Sequence, residues 1–185
     1  MPQKEYQMKS LVFGIAVSAL AAAAFAATES PYVGQEGREI KALSPQAVEG
    51  YLNGEGLGYA KAAELNHYPG PRHVLDMAKE LNLTREQTTQ TQAVFDAMRT
   101  RAIGLGKQLV EKERELDRRF ASDSIDADSL QALLSEIGTI QSKIRYVHLS
   151  AHLAQRALLT EHQVKLYDQV RGYGTPHHGG HMHSH

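Results

Sequence analysis

Two long stretches of this chain repeat apolar residues at steps of three and four. The first runs Phe95, Met98, Ala102, Leu105, Leu109, Leu116 and Phe120, with Lys112 as its one polar interruption. The second runs Leu130, Leu133, Ile137, Ile140, Ile144, Val147, Ala151, Ala154 and Leu158 without a break. That spacing lines one face of an α-helix and predicts helix packed on helix. The polar segment Asp123 to Asp128 separates the two runs, and so short a break favours an antiparallel hairpin. A helix over 85–121 would be about 55 Å long at 1.5 Å per residue. The expectation is an all-α, elongated protein: two long helices in an antiparallel hairpin with short N- and C-terminal helices. A lone hairpin leaves apolar faces uncovered, so a second subunit is expected to intertwine with the first as a homodimer.

Ahead of the hairpin the pattern is broken. Residues 27–43 hold Pro31, Gly34 and Gly37 without any period and read as a mobile arm. Ser44-Pro45 then gives an N-cap followed by Pro at the first helical position, with Leu43 and Val48 placed as a hydrophobic staple. Gly50, Gly54, Gly56 and Gly58 predict that this helix breaks before helical composition resumes at Tyr59. Pro69-Gly70-Pro71 forces a turn, after which His73 to Leu81 reads as a short amphipathic helix.

The extreme N-terminus carries a different message. Lys4 and Lys9 precede an apolar run from Leu11 to Ala27 interrupted only by Gly14 and Ser18, and Ala24-Phe25-Ala26 supplies a cleavage site. This is the pattern of a secretory signal over residues 1–26, with export to a bacterial periplasm as the expected location. Retention as an anchor is the alternative, although the Ala-rich run falls short of the about 20 strongly apolar residues a bilayer demands. The absence of Cys excludes a disulfide scaffold, a thiolate metal site and a Cys nucleophile, and a net charge of −1 offers nucleic acid no broad attraction.

Enzyme motifs are not found. Gly104-Leu105-Gly106-Lys107-Gln108 lacks the gap and the terminal hydroxyl residue of a phosphate-binding loop, and Gly54-Glu55-Gly56-Leu57-Gly58-Tyr59 has Tyr where a dinucleotide loop needs Gly. Glu111, Glu113, Glu115 and Asp117 alternate with Arg114, Arg118 and Arg119, which reads as a solvated face supported by pairs such as Glu115 with Arg119. No catalytic residues and no obligatory cofactor are expected.

One five-residue phrase occurs twice. Leu83-Thr84-Arg85-Glu86-Gln87 and Leu159-Thr160-Glu161-His162-Gln163 both read Leu-Thr-x-x-Gln. In each, Thr is placed to cap the N3 amide while the Gln side chain returns to the Thr amide, a capping box. Leu159 and Val164 add a staple at the second copy; at the first, Thr88 stands in the staple position. With this matched pair in an exported, Cys-free, helical chain, the sequence resembles the Leu-Thr-x-x-Gln family of periplasmic stress proteins. That family comprises the Spy and CpxP chaperones with their ZraP and CnrX metal-responsive relatives. The resemblance covers roughly residues 44–172. It implies a helical hairpin whose subunits intertwine into a cradle, and an envelope role without ATP. It also implies structural roles for Leu83, Thr84, Gln87, Leu159, Thr160 and Gln163.

The histidines point to metal. His177, His178, His181, His183 and His185 crowd the tail, residues 173–185, among Gly179, Gly180, Met182 and Ser184. Such a tail cannot pack a core, and its imidazoles suit Zn²⁺, Cu²⁺ or Ni²⁺; the plainer reading is a solubilising tail. His148 and His152 lie one helical turn apart, where two rings can share an ion or can simply bond to a facing element. The CnrX-like branch carries a His-x3-Met pair on the helix before its second motif, and His148 and His152 resemble it with His for Met. That branch also uses an earlier His-x3-His and a Glu. Here the earlier residues are His67 and His73, on either side of Pro69-Gly70-Pro71, with Glu64 nearby, so a different site joining these elements is a further reading. The sequence as a whole reads first as an ATP-independent chaperone of unfolded or misfolded envelope proteins that binds divalent metal through histidine. The alternative is a periplasmic metal sensor or metal-buffering resistance protein. Restraint of a membrane sensor protein is a third partner reading.

Overall fold

The computed structural model describes residues 29–173. The expected signal segment, residues 1–26, and residues 174–185 of the histidine tail lie outside them. Residues 29–36 form a unit of their own, made of turns closed by Val33 N–H to the Ser30 carbonyl at 3.1 Å and Gln35 N–H to the Tyr32 carbonyl at 3.0 Å. From Gly37 onward the described chain is helical: α1 (Pro45–Asn53), α2 (Lys61–Glu64), α3 (Pro71–Asp76), α4 (Arg85–Ala121), α5 (Ala127–Leu158) and α6 (Glu161–Arg171). The two long helices α4 and α5 pack against each other as a hairpin, and α1 and α3 lie against α4.

Local chemistry sets the helix starts. Ser44 Oγ accepts the Ala47 amide at 3.1 Å ahead of Pro45, and the chain turns left-handed at Gly54 to end α1. Thr84 and Thr160 each form a complete capping box with Gln87 and Gln163. Asp126 does the same with Ser129, so α5 begins at Ala127 and Asp128 belongs to its first turn. Pro71 starts α3 two residues earlier than the amphipathic pattern suggested. The helix ends at Asp76 instead of Leu81, and hydrogen-bonded turns carry the chain on to Asn82. Those turns deliver Leu81, fully buried, into a cluster with Val74, Leu159, Val164 and Tyr167.

The buried face of the hairpin differs from expectation in several places. Along α5 the buried positions follow Leu133, Ile137, Ile140, Ile144, Val147 and Ala151 as predicted, but Ala154 is exposed and Gln155 takes its place. There the Gln155 amide donates to the Thr91 hydroxyl at 3.1 Å, and both residues are fully buried. Along α4, Phe120 lies in the last turn with 58% of its surface exposed, while Glu113 is buried. Glu113 was expected on a solvated face; it is four residues beyond Leu109 and three before Leu116, which places it in the seam. Gly106 is buried because the α1 backbone crosses it: a Cβ there would stand 2.1 Å from the Tyr51 carbonyl oxygen. The rest of the charged face is as expected, with Arg119 bonded to Glu115 at 2.8 Å and Arg114 to Glu111 at 2.6 Å. The arm from Glu39 to Lys41 is tied to this face. Ile40 is buried, Glu39 meets Arg114 at 2.7 Å, and the Lys41 amide and ammonium both bond Asp117.

Candidate metal-binding cleft

The two repeated phrases meet in space. Gln87 Nε2 donates to Gln163 Oε1 at 2.9 Å, and Gln163 Nε2 returns to Gln87 Oε1 at 3.0 Å. The second hydrogen of each amide goes to a main-chain carbonyl, Leu158 for Gln87 and Leu81 for Gln163. Each Oε1 also accepts its own Thr amide at 3.0 Å, so both side-chain amides are satisfied. This exchange fixes the start of α6 against the start of α4. Consequently the far end of α6 falls beside α2 and the late turns of α5.

A cleft of about 510 Å³ opens between these elements. It is lined by Glu64 of α2, Gly70, His73 of α3, Phe95 and Met98 of α4, His148 and His152 of α5, and Arg171 of α6. His148 and His152 are buried, not on the border of the seam. His152 Nδ1 stands 2.7 Å from the Tyr68 carbonyl, which can only accept, so Nδ1 carries the proton and Nε2 keeps its lone pair when the ring is neutral. A main-chain carbonyl orienting a histidine in this way is the usual support of a metal-ligating ring. Burial pushes the pKa of His148 down and the neighbouring His152 pushes it further, which keeps His148 in the neutral form that ligation requires. His148 Nε2 is buried with no hydrogen-bond partner.

Glu64 has two unlike oxygens. Its Oε1 accepts the Tyr167 hydroxyl at 2.5 Å and the Tyr173 hydroxyl at 3.0 Å, and lies 3.3 Å from the Arg171 guanidinium. Its Oε2 is buried without a partner, 3.8 Å from His152 Nδ1. Burial and the Glu64 carboxylate push the Tyr167 phenol up, so Tyr167 remains a donor. Gly70 faces the space between the two groups: a Cβ there would meet His152 Nε2 at 3.1 Å and Glu64 Oε2 at 3.7 Å. Orphaned buried atoms, a glycine that leaves this space open and a donor set of two imidazoles with one carboxylate suit a borderline divalent ion such as Zn²⁺ or Ni²⁺. Among the described residues no three His, Asp or Glu side chains are already gathered about one point that would hold an ion, so ligation requires these rings and the carboxylate to close on it.

Of the other residues singled out by sequence, His73 lines the cleft and His67 does not. His67 has a left-handed backbone and pairs with Asp168 at 2.8 Å. His177, His178, His181, His183 and His185 lie outside the described residues. Tyr167, Arg171, Tyr173 and Gly70 were not foreseen. The one sequence signal for Tyr167, Arg171 and Tyr173 is that they follow one another closely across the end of a helix, where polar tips can reach a neighbour. Among the described residues no helix is long and apolar enough to cross a membrane. Compared with protein-family models, with curated proteins and with solved structures, the chain matches none.

Proposed function

We propose that this protein binds a divalent transition-metal ion in the cleft, through Glu64, His148 and His152, and acts as a metal sensor or buffer. The observation that carries this reading is the set of lone pairs left over on residues that line one cleft: His148 Nε2 and Glu64 Oε2 are buried and unpartnered, and Tyr68 holds His152 in the tautomer whose Nε2 keeps its lone pair. Leaving such groups unpaired in a native protein costs about 1–3 kcal/mol each, which a ligand would recover. The resemblance to CnrX-like proteins supports the same reading, and the signal pattern supports a periplasmic setting for it. The test is calorimetric titration of Zn²⁺ into a full-length chain whose five tail histidines are replaced by Gln. One ion should bind per chain, and His148→Ala with His152→Ala should remove it. An unchanged isotherm in that double variant rejects the site.

A second reading rests on a different observation. Phe120, Leu134, Tyr146 and Leu153 are between 49% and 68% exposed on the long helices. Exposed apolar area of this kind suits the capture of nonnative envelope proteins without ATP, or burial against a second copy in an intertwined homodimer. Suppression of client aggregation that persists in the double histidine variant supports the chaperone role. Light scattering at the mass of a monomer rejects the dimer.

A further inference from the structure

Glu64 is the only carboxylate among the proposed ligands, yet it already has a cation. The Arg171 guanidinium lies 3.3 Å from Oε1, on the oxygen that Tyr167 and Tyr173 also hold. Arg171 is itself held in place, bonded to the Tyr173 hydroxyl at 3.1 Å and stacked 5.5 Å from the centre of that ring. The other fixed charges lining the cleft are Lys61, Arg72, Arg99 and Glu55, so positive charge outweighs negative there and an entering dication meets net repulsion. Three donors on Oε1 also leave Oε2 as the single oxygen Glu64 has to offer. We propose that Arg171 is the resident cation of the cleft: it neutralises Glu64 in the metal-free protein, and its charge sets how tightly a metal ion binds. This inference rests on the metal-binding reading above.

The consequence is a linkage. A guanidinium beside a carboxylate draws on the same electron density that a metal ion would use, and coupling between two such partners of one site is typically worth about 5–150-fold in affinity. Part of the charge is screened because the Arg171 side chain is about one-third exposed, so the effect on metal affinity sits at the low end of that range. Reciprocity then requires that a bound metal weaken the grip of Arg171 and Tyr173 on Glu64. The end of α6 is where this release would register, since the Tyr173 amide closes the helix on the Asp168 carbonyl at 2.8 Å.

The experiment measures Zn²⁺ affinity by chelator competition on the full-length chain with its tail histidines replaced by Gln. It compares that parent with Arg171→Gln, Arg171→Lys and Glu64→Gln. Circular dichroism confirms that each variant folds, and hydrogen exchange follows the Tyr173 amide. Arg171→Gln should bind Zn²⁺ about tenfold more tightly, Arg171→Lys within threefold of the parent, and Glu64→Gln at least tenfold more weakly. Zinc should accelerate exchange at Tyr173 in the parent. Unchanged or weaker affinity in Arg171→Gln, in a parent that loses its zinc when His148 and His152 are replaced, overturns the role of Arg171 and leaves the metal site standing. Equal tightening by Gln and Lys overturns it as well, because charge would then not be the cause. A parent that binds no zinc overturns both the site and the inference.

Discussion

Gly104 and Gly106 lie two residues apart in the middle of α4, and replacing each by Ala should have opposite effects. Glycine inside a helix is worth about 1 kcal/mol less than alanine, so both substitutions share the same intrinsic gain. At Gly104 an added Cβ meets nothing within 4 Å. At Gly106 it would sit 2.1 Å from the Tyr51 carbonyl oxygen, 2.7 Å from the carbonyl carbon and 3.3 Å from Cα. All three obstacles are backbone, so no rotamer change relieves them. Helix α1 cannot simply lift away either, because Gly54 at its end is also held against α4, its own Cβ position being 3.1 Å from the Arg99 carbonyl and 3.0 Å from Ile103. Forcing a methyl into a packed contact costs about 1–3 kcal/mol and sometimes more, and contact with rigid backbone belongs at the upper end. Since the propensity gains cancel, the difference between the two variants reads the clash alone. At about 2–4 °C per kcal/mol for a chain of this size, Gly106→Ala should melt roughly 5–10 °C below Gly104→Ala. Thermal and urea melts by circular dichroism measure this, and Gly104→Ala should lie above the parent. If the two variants melt together, α1 does not cross α4 at Gly106 and the packing described here is wrong.

Burial alone raises the pKa of Glu113. Between the ordinary carboxylate range and that raised value the native state holds more protons than the unfolded state, so stability falls as pH rises through this window. Glu113→Gln should therefore melt above the parent at pH 7, with the advantage disappearing near pH 4, and an advantage independent of pH refutes the burial. Gln87→Ala and Gln163→Ala should be strongly non-additive in stability, by about 0.5–3 kcal/mol in a double-mutant cycle read from urea melts, because each amide satisfies the other; additive losses would mean that the two phrases act only as separate caps. Zinc at a hundredfold excess over its dissociation constant should stabilise the tail-substituted chain by about 2.7 kcal/mol, and the rise in melting temperature should vanish in His148→Ala. Persistence of the shift in that variant would place the zinc elsewhere.

What the sequence revealed and what it concealed divide by range. Ser44, Thr84 and Thr160 are legible because a cap is decided within four residues, and the hairpin is legible because its period persists over both long helices. Glu113 was legible in principle, as the step of four from Leu109, but its charge argued for the surface and the alternative step to Lys112 was equally regular. Gly106 and Gly54 look like weak points in helices until α1 is laid across α4. The pairing of Gln87 with Gln163 and of Glu64 with Tyr167 and Tyr173 spans 76 to 109 residues. No local pattern encodes such partners, since the topology must exist before they meet. The histidine pair was legible as a pair, but whether it faced solvent, a helix or a cleft depended on how α2 and α3 fold over α5.

The repeated phrase and the cleft are consequences of one arrangement. A capping box needs only one side-chain oxygen and its own amide, so Gln87 and Gln163 would cap their helices equally well if they never met. Their reciprocal bonds, together with those to the Leu81 and Leu158 carbonyls, tie the turn before α4 to the turn before α6. With its first turn fixed, α6 has one direction left to run, and two turns later it presents Tyr167 and Arg171 to Glu64. The apolar cluster of Val74, Leu81, Leu159, Val164 and Tyr167 fills the space between and brings α3, with His73, to the same end. The polar lock sits at one end of α6 and the contacts to Glu64 at the other, so Gln87→Ala or Gln163→Ala should disturb the Tyr167 and Arg171 contacts with Glu64 although neither glutamine lines the cleft.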